Sequence, residues 1–395
     1  MRILTFTTLY PNQVQTTHGL FVERRLRYLL ELEGIEAIVV APVPWFPFKS
    51  AKLGRYADYS RVLKKENRHG VTIYHPRYPL IPKVGMTVAP VLLAFAVLPF
   101  IKKMMVNGGD FDLIDAHYFY PDGVAAAIIG KVLNKPVVIT ARGTDINLIP
   151  QYLLPRKMIT WAARQSRGVI TVCEALKIEL INLGADGKKI HALRNGVNLN
   201  EFYPMDRENM QFKYQITRPT LLSVGHLLER KGHHLVIQAM KDLPDYELLI
   251  AGDGEERKRL QKLAVTEQVS DRVRFLGALT PDRLAEVYNA VDILVLASSR
   301  EGWANVLLES MACGTPVIAT NIWGTPEVVT TPDAGLLMSE RSATAIVKAT
   351  KQLLENYPSR EKTHHYAENF SWDETVNSIS NLFRDILLYE RVDKR

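Results

Sequence analysis

The chain has 395 residues, 47% hydrophobic and 23% charged, the proportions of a soluble globular protein long enough for two domains. Its two cysteines, Cys173 and Cys313, lie far apart with no CxxC partner, which excludes a disulfide framework or zinc site and fits a reducing cytoplasm. The net charge of +7 is unevenly placed: residues 1–200 carry 26 Lys/Arg against 14 Asp/Glu, and residues 201–395 carry 23 against 28.

A basic front half of +12 facing a back half of −5 points to an anionic partner for the first domain. No zinc finger or RNA-recognition motif occurs, so no nucleic acid is expected, and an anionic membrane surface or phosphate-bearing acceptor fits better. The start, Arg2 to Thr7, is an apolar run that reads as a buried strand with no signal-peptide architecture. A turn-rich loop from Tyr10 to Gly19 leads into a helix over Leu20 to Leu30, and Gly19 either lets a ligand approach or only permits the turn. Residues 37–41 read as a second strand, and residues 42–70, rich in Pro, aromatics and Lys/Arg, as a long functional loop.

Gly85 to Ile101 contains no charge and is bounded by Lys83 and by Lys102-Lys103. Pro90 and Pro99 argue against a membrane span; the segment reads as a helix packed in the first domain, or as a surface dipping into a membrane interface. From Phe111, strand and helix alternate. His117 ends one strand, and Arg142-Gly143-Thr144-Asp145 follows the next, at the carboxyl ends where open parallel sheets bind ligands. Residues 200–218 are polar and irregular and mark the boundary between residues 1–200 and 201–370. A second βαβ series follows, and residues 371–395 read as a final amphipathic helix packing across the interdomain face. The fold class is therefore α/β: two Rossmann-like, doubly wound domains facing across a cleft.

The centre of the second series is Glu301-Gly302-Trp303-Ala304-Asn305-Val306-Leu307-Leu308-Glu309. The amides between the two carboxylates, at a helix N-terminus, form an anion site, whereas the carboxylates repel phosphate and suit hydroxyls. A ligand with phosphate in its middle and hydroxyls at both ends is a nucleotide-sugar. The alternative is a solvated Glu301 with Glu309 matched to the helix dipole. Other ligand motifs fail: Gly252-Asp253-Gly254 has Arg257 at the third glycine position, Gly187-Lys188 lacks the rest of a phosphate loop, and Asp110-Phe111-Asp112 opens its strand at the amino end.

Together these stretches resemble the retaining glycosyltransferases of family 4, which have the GT-B fold. The most specific part runs from Glu301 to Thr320, with support from Val224-Gly225-His226-Leu227, Lys231-Gly232, Arg142 to Asp145 and Asn195-Gly196-Val197. The opening Tyr10-Pro11 and Gly19 to Val22 is similar to members that build bacterial polysaccharides, including teichuronic acid synthesis enzymes. The resemblance implies a hexosyltransferase that takes a sugar from a nucleotide-diphosphate donor, UDP first, to a glycan or lipid-linked acceptor in cell-surface polysaccharide synthesis. It implies no metal or other cofactor and a cytoplasmic location at the inner membrane face. His117 and Glu301 are then expected at the sugar, and Glu309 at the ribose. Gly19, Gly225, Arg230, Lys231 and the run Gly302, Trp303, Ala304, Asn305, Val306 are expected around the diphosphate, with Arg142 and Asp145 on the acceptor side. His226 stands where the family commonly has Arg, with Arg230 nearby as a substitute; Ala304 stands for a frequent Pro and Arg142 for a frequent His. A nucleotide-sugar epimerase or a non-catalytic scaffold on the same fold are the other readings.

Overall fold

A computed structural model describes residues 1–45, 55–79 and 85–393. By contacts the chain divides into two compact units, Met1–Leu193 with Asp373–Arg395, and Arg194–Trp372.

The first unit is built on a sheet whose strands are β1 (Arg2–Phe6), β2 (Glu36–Val40), β4 (Lys65–Arg68), β5 (Val71–Tyr74), β7 (Leu113–His117), β8 (Val137–Ala141), β9 (Gly168–Thr171) and β10 (Ile190–Ala192); β3 (Val43–Pro44) and β6 (Arg77–Tyr78) pair separately. Their order is β10-β9-β8-β7-β1-β2-β5-β4, parallel except where β4 runs antiparallel to β5. β1 lies between β2 and β7, so the winding direction reverses there. β7 and β8 are buried along their whole length, as strands covered on both faces must be.

The second unit has six parallel strands: β11 (Thr220–Val224), β12 (Glu247–Ala251), β13 (Val273–Gly277), β14 (Ile293–Leu296), β15 (Val317–Thr320) and β16 (Gly335–Met338), in the order β13-β12-β11-β14-β15-β16. Leu221, Leu248, Ile250, Ile293, Val295 and Ile318 form the sheet's contribution to its core. Here the reversal falls between β11 and β14.

Several sequence expectations change. The supposed loop 42–70 contains β3, β4 and a helix, Arg55–Arg61, and residues 46–54 of it lie outside the described residues, as does Lys83. The stretch 200–218 holds the helix Arg207–Tyr214; Asp206 caps it by accepting from the Asn209 amide, and the Tyr214 hydroxyl donates to Glu286 at 2.7 Å. That helix is too polar to show periodicity, and its anchors come from distant residues. Residues 194–206 pack within the second unit: the Val197 amide donates to the Phe370 carbonyl, and Phe202 meets Tyr288 edge to face.

Gly85–Val106 forms one helix with Pro90 and Pro99 inside it. Leu93, Val97 and Ile101 are fully buried, whereas Val91, Phe95 and Val106 are exposed beside Lys102. By length and composition Met86–Val106 could cross a membrane, but one of its faces is packed on protein. The helix Trp372–Asp393 belongs to the first unit from Asp373 on, with Phe383 and Ile386 buried and Glu390 paired to Arg167 at 2.6 Å.

Candidate active site

In the second unit the site forms beyond the carboxyl ends of β11 and β14, the switch point of the sheet. β11 leads through Gly225 and the exposed His226 to a short turn, Glu229–Lys231. Gly232 ends that turn at φ +75°, and a Cβ there would lie 2.0 Å from the Ala297 carbonyl. Only glycine lets the turn press against the end of β14, and this contact brings Lys231 to Glu301. The Lys231 Nζ donates to Glu301 Oε1 at 2.5 Å, and the Ser298 hydroxyl donates to the same oxygen at 2.6 Å. Burial works to raise the Glu301 pKa, but Lys231, Ser298 and Arg230 together hold it below the ordinary carboxylate value. Arg230 donates to the Arg300 carbonyl at 3.4 Å, so its guanidinium lies beside the Glu301 loop, whereas nothing places His226 there.

Helix Asn305–Ala312 begins just after this loop, and no side chain caps its N-terminus. Its first-turn amides, from Ala304 to Val306, are thus oriented for an acceptor. Asn305 accepts from Asn195 at 3.2 Å, and Trp303 packs between Arg194 and Phe370 with its buried indole N–H unpartnered among the described residues. Glu309 lies about one turn into the helix, 8% exposed, and accepts from the hydroxyl of the fully buried Tyr288 at 3.2 Å. The structure therefore brings together Gly225, Arg230, Lys231, Glu301, the run Gly302 to Val306, and Glu309.

In the first unit His117, Arg142 and Asp145 also converge. Asp115 and His117 are two residues apart on β7 and point to one face. Asp115 Oδ2 lies 3.0 Å from His117 Nε2, and Arg25 Nη2 reaches both Asp115 oxygens at 3.0 and 3.1 Å. Against the effect of burial, Arg25 and then His117 hold Asp115 at about 2. Burial lowers His117 to about 3 and, with Arg25 nearby, Arg142 to about 9. Arg142 stacks on Phe21 at 5.1 Å. Asp145 is fully buried and accepts the amides of Phe119 and Gly143 at 2.7 Å and of Arg142 at 3.1 Å, so it shapes the loop. Gly19 caps helix Leu20–Leu30 at φ +73°, and a Cβ would lie 2.3 Å from the Leu9 carbonyl, so the fold alone requires glycine there.

Sequence reasoning missed Arg25, Asp115, Ser298 and Tyr288. Arg25 had a signal: it sits on the stripe of Val22, Leu26 and Leu29, where a charge needs a buried partner. Tyr288 had none, because its pairing joins two different helices.

Residues 19–201 match the family model described as Glycosyltransferase Family 4, and residues 206–370 the one described as Glycosyl transferases group 1. A putative teichuronic acid biosynthesis glycosyltransferase of Bacillus subtilis is 28% identical over 369 residues, covering 88% of each chain. Sucrose-phosphate synthase from Thermosynechococcus elongatus superposes with a TM-score of 0.79 at 19% identity, over 98% of this chain and 99% of that one. Anabaena HepE in complex with UDP gives 0.74 at 19%, over 98% of this chain and 100% of that one. The two family matches adjoin along nearly the whole chain, each on one of the two Rossmann-like units, and the chain belongs to the family 4 glycosyltransferases, enzymes of the GT-B fold.

Proposed function

We propose that this enzyme is a retaining glycosyltransferase that moves a sugar from a nucleotide-diphosphate sugar, with UDP as the nucleotide, to a glycan or lipid-linked acceptor in cell-surface polysaccharide assembly. The observation that carries the reading is the Lys231 ammonium, held 2.5 Å from Glu301 beside an uncapped helix start, with buried Glu309 on the same helix. Related names support the class of product and donor: the Bacillus subtilis relative is named for teichuronic acid biosynthesis, and the Anabaena protein was solved with UDP.

In this reading the amides of Gly302 to Val306, Lys231 and Arg230 receive the diphosphate, Glu309 accepts from the ribose hydroxyls, and Glu301 accepts from the donor sugar. The arriving diphosphate competes with Glu301 for Lys231, so the ammonium transfers to the phosphate and the carboxylate turns to sugar hydroxyls. The acceptor oxygen bonds to C1 as the C1–O bond to phosphate breaks, and the acceptor proton passes to the departing phosphate on the same face. Preorganised donors at the growing phosphate charge supply the main stabilisation, with no resident metal. Arg142 faces the acceptor side, with His117 behind it. The enzyme works in the cytoplasm at the inner membrane face, where the outward side of helix Gly85–Val106 meets lipid.

Thermal shift with a panel of nucleoside diphosphates, followed by donor incubation with and without acceptor, tests the assignment. A shift with UDP and transfer with retained anomeric configuration are expected. An epimerised sugar from donor alone, or no shift with any nucleotide, would overturn it.

A further inference from the structure

Lys231 stands on the turn Glu229–Lys231 that follows β11, and Glu301 on the loop that follows β14, so two separate chain segments must be held together for them to meet. A third segment holds them. Arg341 follows β16, the edge strand separated from β14 by β15, and its guanidinium reaches both loops. Its Nε donates to the Ala297 carbonyl at 2.8 Å, and its Nη2 donates to the Glu229 carbonyl at 2.9 Å.

Ala297 lies one residue beyond Leu296, the last residue of β14 in register with β15, so its carbonyl is past the end of that ladder. It is also the carbonyl against which Gly232 rests. The Glu229 carbonyl accepts the Gly232 amide at 3.0 Å as well, so Arg341 brackets the Gly232 contact from both loops. The Ser299 amide adds a bond to the Arg230 carbonyl at 2.8 Å. All these acceptors are backbone oxygens, whose bonds fix where the turn and the loop lie. The ion pair of Arg341 with Glu229 contributes little, since Nη2 stands 3.3 Å from Oε1 and the Glu229 side chain is 60% exposed. A guanidinium suits the task because its planar fork presents donors to two carbonyls in one fixed geometry, whereas an ammonium is a flexible point donor.

We propose that Arg341 is a positioning residue for the diphosphate site: by fastening the turn after β11 to the end of β14 it sets the place of the Lys231 ammonium. The inference rests on the glycosyltransferase reading and extends it to a residue that acts through Lys231. Recognition of the nucleoside through Glu309 is independent of Arg341, because that carboxylate is held by Tyr288 on another helix.

Calorimetric titration of the full chain with inorganic pyrophosphate, UDP and uridine tests this in the wild type, Arg341→Ala, Lys231→Ala and the double variant. Arg341→Ala is expected to weaken pyrophosphate and UDP about tenfold, the size of one hydrogen bond to a charged group, and to leave uridine unchanged. In the Lys231→Ala background the same change should cost nothing further, because the group it positions is gone. Arg341→Lys, which keeps the charge without the fork, should restore only part of the affinity, and it takes the place of Arg341→Ala in the cycle if the latter lowers the unfolding midpoint. Unchanged pyrophosphate affinity in Arg341→Ala, an equal loss with uridine, the same loss in both backgrounds, or full recovery in Arg341→Lys would overturn the proposal. Failure of the transferase reading would show separately, as no thermal shift of the wild-type chain with any nucleoside diphosphate.

Discussion

Arg142 donates from Nη2 to His117 Nδ1 at 2.7 Å. Because a guanidinium only donates, Nδ1 must be the acceptor nitrogen, and the ring proton is fixed on Nε2, where it is donated to Asp115. His117 is thereby neutral, 1% exposed and saturated at both nitrogens. It sets the position of Arg142, and Arg142, whose lowered pKa of about 9 still leaves it charged at neutral pH, carries the positive charge at this edge.

Since the folded pKa of His117 is about 3, below the ordinary 6.5, its contribution to stability is complete above 6.5 and is lost as pH falls toward 3. Urea unfolding across pH 4–8 should show this acid-side loss in the wild type and a shallower one in His117→Gln. The kcat/KM profile of the wild type should carry no inflection near pH 6.5 that disappears in the variant.

Asp122 acts in the opposite sense. Burial outweighs the Thr7 and Thr8 hydrogen bonds and raises it to about 7, so the folded state holds a proton that the unfolded chain releases near 4. Stability from this group is present below pH 4 and is lost as pH rises through 7. Asp122→Asn should therefore gain relative to wild type between pH 5 and pH 8; a difference independent of pH would rule the assignment out.

Removing Lys231 leaves Glu301, 10% exposed in its side chain, without its hydrogen-bonded cation. Lys231→Ala should lower kcat/KM by about 10²–10³-fold, the size seen when one preorganised donor is lost from a developing charge. Lys231→Arg should restore part of it. Steady-state kinetics on both variants decides, and unaltered turnover in Lys231→Ala would remove it from the donor site.

Tyr288 acts through Glu309. Tyr288→Phe should weaken UDP binding about three- to tenfold by calorimetry while leaving inorganic pyrophosphate unaffected, because the lost hydrogen bond orients the carboxylate assigned to the ribose. Combined with Glu309→Gln the effect should not add, since both changes break one unit.

The exposed side of helix Gly85–Val106 carries Val91 and Phe95 next to Lys102 and Lys103. Phe95→Asp should reduce co-sedimentation with anionic liposomes, and wild-type binding should fall as salt rises past 0.1 M, where surface charges are screened. Binding indifferent to both changes would exclude this face as the contact.

The sequence alone determined the two α/β series and placed Glu301 and Glu309 on either side of a helix start. Near-continuous apolar runs mark parallel strands, and the stretch from Glu301 to Glu309 keeps two carboxylates and an amide-rich helix start within one local segment, so periodicity and spacing suffice to find them. Helix Arg207–Tyr214 escaped that reading because its stabilising partners, Glu286 among them, are distant in sequence. Tertiary structure alone decided which groups are free to act. The Lys231–Glu301 pair depends on Gly232 touching Ala297, the commitment of His117 depends on Arg25 and Arg142 arriving from a helix and another strand's end, and Asp145 proved to be occupied by backbone amides. A residue's type states what it can donate or accept, whereas its pKa and its availability depend on burial and on neighbours that only folding brings within about 3 Å.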